Sequence, residues 1–246
     1  NVGTWTSINS GGSELNGDDY FEISALDVTI PGTMAHLILN VESSTGYQSS
    51  SIIPIQIGEA GVNDPLGPDS YGYYIYDNED LNYILSPTYN WVEIDAREGG
   101  PGSHLSSLSD TGNNQDDVET INLPFTFSFY GVEYDQISIS SNGWIAMGET
   151  ELESFRNYEL PGVGGPSKMI AVFWDDLKTS NGGRVYTWYD QDQKKFYVEW
   201  SGVRTYQNNT VETFQAVLFD PDYYVTPTGD GDILLQFKEF NNDSYG

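Results

Sequence analysis

The sequence predicts an all-β protein, a small partial β-domain followed by a larger antiparallel two-sheet β-sandwich. Three observations predict it. Short runs alternate apolar and polar residues with a period of two, Gly, Pro, Asn and Asp punctuate them, and no long apolar stripe of 3.6-residue period runs through the chain. With 246 residues, 18 Tyr, 11 Phe and 6 Trp, the chain has enough apolar material for a small β-domain and a medium one.

In the first section Tyr20-Phe21-Glu22-Ile23, the run from Ala35 to Val41 and the run from Ser51 to Ile57 read as strands, with Ile30-Pro31-Gly32 as a turn. These make part of a sandwich, marginal on their own. From Gly58 to Asp69 the alternation gives way to Gly, Pro and Asp, which places a boundary near Gly61 and two domains at 1–61 and 62–246.

Nine strands are expected beyond it: 71–76, 125–130, 136–140, 144–147, 169–174, 185–189, 196–200, 214–219 and 233–237. Hairpin chemistry joins several of them, at Ser141-Asn142-Gly143, Asn181-Gly182-Gly183 and Asp190 to Lys195, where Asn and Gly tolerate positive φ. The polar segment from Ile94 to Val118 is too long for an inert turn and reads as a loop of function or disorder.

Against 37 Asp plus Glu stand nine Lys plus Arg, a formal net charge of −28. That charge repels phosphate backbones and anionic headgroups, so nucleic acid is excluded as a partner, and no apolar run is long enough for a membrane span. Without cysteine there is no disulfide framework and no thiolate nucleophile. From Asn1-Val2-Gly3 to Ser244-Tyr245-Gly246, the chain reads as a piece of a longer protein.

Calcium is the leading ligand, because a hard cation needs several oxygens from closely spaced residues. Three clusters offer them: Asp64, Asp69, Asp77, Asn78 and Asp80; Asp110, Asn113, Asn114, Asp116 and Asp117; and Asp220, Asp222, Asp230 and Asp232. The metal-ligating expectation rests on Asp110, Asn113, Asp116 and Asp117 and on Asp220, Asp222, Asp230 and Asp232, with solvated acidic loops as the plainer reading. No cluster has the spacing of an EF-hand. The two histidines, His36 in an alternating strand and His104 in a Gly-rich loop, have no identifiable catalytic partner, and no Gly-x-Ser-x-Gly elbow exists. Tyr73, Tyr74, Tyr76, Trp188, Tyr189, Tyr223 and Tyr224 are candidates for stacking on glycans. Asn208-Asn209-Thr210 and Asn242-Asp243-Ser244 fit the glycosylation triplet.

The run from Leu123 to Gly131, then Tyr134 to Gly148 with Ser141-Asn142-Gly143-Trp144-Ile145, then Ile170 to Leu177 resembles the signature of nidogen-like extracellular β-domains. Physically, Asn142-Gly143 permits a tight hairpin, Phe173-Trp174 closes a strand on large aromatics, and Asp175 and Asp176 emerge as a strand end with capped amides. With 69–78, 87–94, 196–201 and Gly229-Asp230-Gly231-Asp232, the pattern is similar to a module found downstream of gingipain-like or subtilisin-like peptidase domains in large secreted bacterial proteins. The resemblance covers roughly residues 64 to 240, and residues 1 to 60 resemble the tail of the Ig-like domain that often comes before this module, which implies a small partial Ig-like β-domain at 1–61. It implies a secreted or cell-surface location and a non-catalytic adhesion or structural role, with protein partners or self-association. The alternative is a carbohydrate-binding accessory module of a secreted hydrolase. Sheet edges that partners can extend support the first role.

Overall fold

A computed structural model describes residues 3–5, 7–15, 17, 21–26, 29–112 and 115–241. The chain divides into two compact units, Asn1–Pro87 and Thr88–Gly246. Gly61 and the Gly-, Pro- and Asp-rich run around it lie within the first.

The first unit contains a hairpin of β1 (Thr33–Glu42) and β2 (Gln48–Ile57), paired antiparallel from Thr33 opposite Ile57 to Glu42 opposite Gln48. Its entry is the expected turn, in which the Thr33 amide donates to the Ile30 carbonyl and the Gly32 amide to that of Ile57. The two-residue alternation puts Ala35 and Leu37, opposite Ile55 and Ile53, on one face. Met34, His36 and Ile38, opposite Gln56, Pro54 and Ile52, share the other. His36 is exposed there. The strand expected at 20–23 does not form over Phe21–Ile23, and Tyr20 lies outside the described residues. Nor is 71–76 a strand. The amides of Tyr71, Gly72 and Tyr73 all donate to Asp69 Oδ1, at 2.9, 2.8 and 3.0 Å, which curls the backbone round one carboxylate. A single bridge, Leu66 to Ile75, remains.

The second unit contains, in chain order, the 3-10 turn Ala96–Glu98, β3 (Ser103–His104), β4 (Val118–Phe129), β5 (Val132–Ser140), β6 (Trp144–Met147), β7 (Met169–Ala171), β8 (Leu177–Lys178), β9 (Arg184–Asp190), β10 (Lys195–Thr205), β11 (Val211–Phe219) and β12 (Ile233–Glu239). Among the described residues these form a four-stranded sheet, β4-β5-β6-β7, and a six-stranded one, β12-β11-β10-β9-β3 with β8 beside β10. All pairings are antiparallel, as the alternating pattern requires. The sheets meet through side chains of both. Phe125 on β4 lies 5.8 Å from Tyr189 on β9, and fully buried Trp200 stacks on Phe214 at 5.0 Å while its indole donates to the Ser140 carbonyl at 2.8 Å.

The reverse face of the six-stranded sheet is covered too. Tyr186, Tyr197 and Val217 pack there against Ile94, with Val92 and Trp188 around them. The segment from Ile94 to Val118 is therefore built into the fold and not a disordered loop, over its described residues. Ile94, Leu105 and Leu108 are buried apolar anchors, and Asp95 and Asp110 are buried caps.

Candidate functional site

The turn Ser141-Asn142-Gly143 joins β5 to β6, and several carboxylates of the second unit gather on it. Gly143 has φ +74, and a Cβ there would sit 1.9 Å from the Phe173 carbonyl oxygen, so only glycine fits. Asn142 is fully buried; its Nδ2 donates to Asp116 Oδ1 and its Oδ1 accepts from the Leu177 amide, both at 2.9 Å. Ser141 donates through Oγ to Asp110 Oδ2 at 2.7 Å and accepts there from the Asp117 amide at 3.2 Å. Asp110 Oδ1 accepts from the Gly112 amide, and its carbonyl accepts from the amides of Thr179 and Ser180.

Electrostatics follow from this crowding. Burial pushes the Asp110 carboxyl up to about 6; Ser141 and the Gly112 amide oppose the rise, and Asp116 and Asp117 add to it. Burial likewise pushes Asp176 up to about 6, reinforced by Asp116, Asp110 and Asp175. Asp175 Oδ1 accepts from the Asp176 amide at 2.8 Å, the capped strand end expected from the sequence. The fold thus brings Asp110, Asp116 and Asp117 together and adds Asp175 and Asp176, which lie far along the chain. Asn113 and Asn114 lie outside the described residues. Among the described residues, no three His, Asp or Glu side chains form a group that could hold a metal ion.

The acids after β11 serve separate turns instead. Buried Asp230 accepts through Oδ1 from Ser128 Oγ at 3.0 Å and from the Gly131 amide at 2.8 Å, which caps the left-handed Tyr130-Gly131 turn between β4 and β5. Asp220 Oδ1 accepts from the Asp222 amide, and the Asp232 carbonyl from that of Phe219; Asp222 and Asp232 are exposed. Asp64, Asp69, Asp77 and Asp80 similarly accept from backbone amides within their own loops. Of the glycan-stacking candidates, Trp188 leans on Tyr197, Tyr189 on Phe125 and Tyr224 on Phe219, and Tyr223 is the most exposed. His104 lies 5.5 Å from the Tyr186 ring.

One arrangement escapes sequence reasoning. Glu199, Gln215 and Gln236 are neighbours across β10, β11 and β12, and together they grip the extended strap Asn90–Ile94. Gln236 Oε1 accepts from the Asn90 amide at 2.9 Å, Gln215 Nε2 donates to the Val92 carbonyl at 2.7 Å, and Glu199 Oε2 accepts from the Ile94 amide at 3.2 Å. The row acts like a strand edge made of side chains, which satisfies every second residue of the strap. Burial pushes Glu199 up to about 7, with Glu93 adding to the rise against the Gln215 and Ile94 bonds. Next along the chain, Asp95 is fully buried. Burial alone would raise its carboxyl, but the Arg97 guanidinium at 2.6 Å and the Ser201 hydroxyl at 2.7 Å hold it well below the usual range.

The Ser141-Asn142-Gly143 turn and the gathered aspartates lie within one recognisable stretch, which the strap enters only with its last residue. Residues 94–224, more than half of the chain, match the family model described as NIDO related. The chain belongs to the NIDO-related family. No curated protein and no solved structure matches it. Membership makes the chain a nidogen-related, extracellular-type β-module. The NIDO-related match begins at Ile94, the last strap residue, and ends at Tyr224, so the hairpin of the first unit and β12 lie outside it. No helix among the described residues is long and apolar enough to cross a membrane.

Proposed function

We propose that the chain is a non-catalytic adhesion or structural module of a larger secreted or cell-surface protein, of the kind found beside secreted bacterial peptidase domains, and that it docks protein partners through its first unit. The observation that carries this reading is the hairpin β1–β2. Among the described residues it is a sheet of two strands with neither outer edge paired, and Met34, Ile38 and Ile52 are 44%, 65% and 65% exposed on one face. A two-stranded sheet is marginal in water, and open edges are templates for a partner strand. Beads carrying the full chain are expected to retain a protein from the native extracellular medium, and Ile38→Asp/Ile52→Asp is expected to lose it while the second unit unfolds at an unchanged denaturant concentration. Equal retention by both proteins contradicts the reading.

Calcium stabilisation is a second part of the proposal, favoured by the carboxyls that burial and mutual repulsion raise at Asp110 and Asp176. A weakly held cation relieves that repulsion, and extracellular modules use sites of about 0.1 to 1 mM affinity. Calorimetry in calcium against chelator is expected to show a higher Tm in calcium, a response that Asp110→Asn abolishes. Identical Tm values in the two buffers contradict it.

A further inference from the structure

The first unit has an extreme charge composition. Residues 1–87 include twelve Asp or Glu and no Lys or Arg, so all nine basic side chains of the protein lie in the second unit. The open hairpin sits in this purely acidic setting. Between Thr33 and Val41, β1 carries no charged residue other than a histidine and no proline, the devices with which edge strands normally block pairing. Acids flank the strand at both ends. Glu42 closes β1, and Glu59 precedes Ala60, whose Cβ lies 3.3 Å from the place a Gly32 Cβ would occupy beside the start of β1.

We infer that the occupant of this edge is an extended, cationic segment of a partner protein, with alternating β-branched residues at its centre and Lys or Arg near both ends. The inference rests on the docking role proposed above. Backbone pairing along ten residues, about 34 Å at roughly 3.4 Å per residue, supplies a register. The alternate apolar side chains extend either the Ala35, Leu37, Ile53, Ile55 face or the Met34, Ile38, Ile52 face. The terminal cations meet Glu42 and Glu59, and the surrounding field steers the segment in. A second copy of this hairpin fits poorly, because its own unit brings the same twelve acids without a Lys or Arg, and the whole chain carries a net charge of −28. The unprotected β1 edge, unlike that of β2 with its Pro54, is accessible in such a field to a cationic strand and is kept from like copies by repulsion.

Fluorescence anisotropy of the full chain with a labelled peptide of alternating Thr and Val, ended by Lys, tests this. Two further peptides complete the test: one N-methylated at alternate residues, with its charge intact and one edge of amide donors removed, and one with Glu in place of both Lys. The unmodified peptide is expected to bind, and the N-methylated and acidic peptides to bind at least about tenfold more weakly, a difference of about 1.4 kcal/mol or more. Equal binding of the unmodified and N-methylated peptides overturns the inference, because attraction to an acidic surface without strand pairing then suffices. Concentration-dependent dimerisation of the chain through the hairpin with no peptide binding overturns it in favour of a second copy. If no peptide binds while bead retention still depends on Ile38 and Ile52, docking stands and its cationic-strand form falls.

Discussion

Replacing Glu199 with Gln isolates a buried carboxyl whose worth depends on pH. Glu199 has no exposed surface; Oε2 serves the Ile94 amide and Gln215, while Oε1 is buried without a hydrogen-bond partner among the described residues. Its carboxyl is raised from an ordinary 4.5 to about 7, first by burial. Between those values the folded chain keeps a proton that the unfolded chain releases, so stability falls as pH rises from about 4.5 to about 7 and is level outside that window. The displacement corresponds to at most about 3 kcal/mol. Glutamine has the same shape, keeps an acceptor for the Ile94 amide and carries no charge. Glu199→Gln is therefore expected to match the parent at pH 4 and to exceed it by up to about 3 kcal/mol at pH 8. Urea unfolding followed by tryptophan fluorescence reads this out in the second unit, which holds five of the six tryptophans. A stability difference between the two proteins that is the same at both pH values refutes the reasoning.

Other substitutions test the same framework. Gly143→Ala sets a methyl against the Phe173 carbonyl in a left-handed backbone, and a loss of about 3 kcal/mol or more is expected by chemical denaturation. Trp200→Phe removes the buried bond to the Ser140 carbonyl; about 2 kcal/mol is the expected loss in the same assay. Arg97→Met strips the fork from fully buried Asp95, for which about 3 kcal/mol is expected. That loss should shrink as pH falls below the ordinary aspartate range of about 4 and the carboxyl takes up a proton, and a loss constant with pH refutes the ion-pair account.

Much of the β architecture is legible in the sequence because period-two alternation and turn chemistry are local. The strands at 136–140, 144–147 and 185–189, and the turn at Asn142-Gly143, follow from residues that are neighbours in the chain. The failures have a local and a long-range origin. At 71–76 the aromatic alternation is outweighed by the Asp69 carboxylate, which collects three successive amides. Between Ile94 and Val118, polar composition hides three buried apolar anchors. Glu199 occupies a polar position in an alternating strand and so reads as solvent-facing, yet the strap that buries it comes from residues about a hundred positions earlier. The acid cluster is half legible for the same reason. Asp110, Asp116 and Asp117 are near in sequence, whereas Asp175 and Asp176 reach the same turn through long-range bonds of the Phe173, Asp175 and Leu177 amides to Asn142 and Gly143.

The central claim is that a NIDO-related sandwich accompanies an open-edged hairpin that docks protein partners. Hydrogen exchange of the full chain, free and loaded with the protein that it retains, tests this most directly. The account predicts rapid exchange at the outward amides of both Thr33–Glu42 and Gln48–Ile57 in the free chain, and strong protection of those of Thr33–Glu42 in the complex with β9 to β11 unchanged. Protection confined to the second unit, with the hairpin amides exchanging as fast as before, contradicts it.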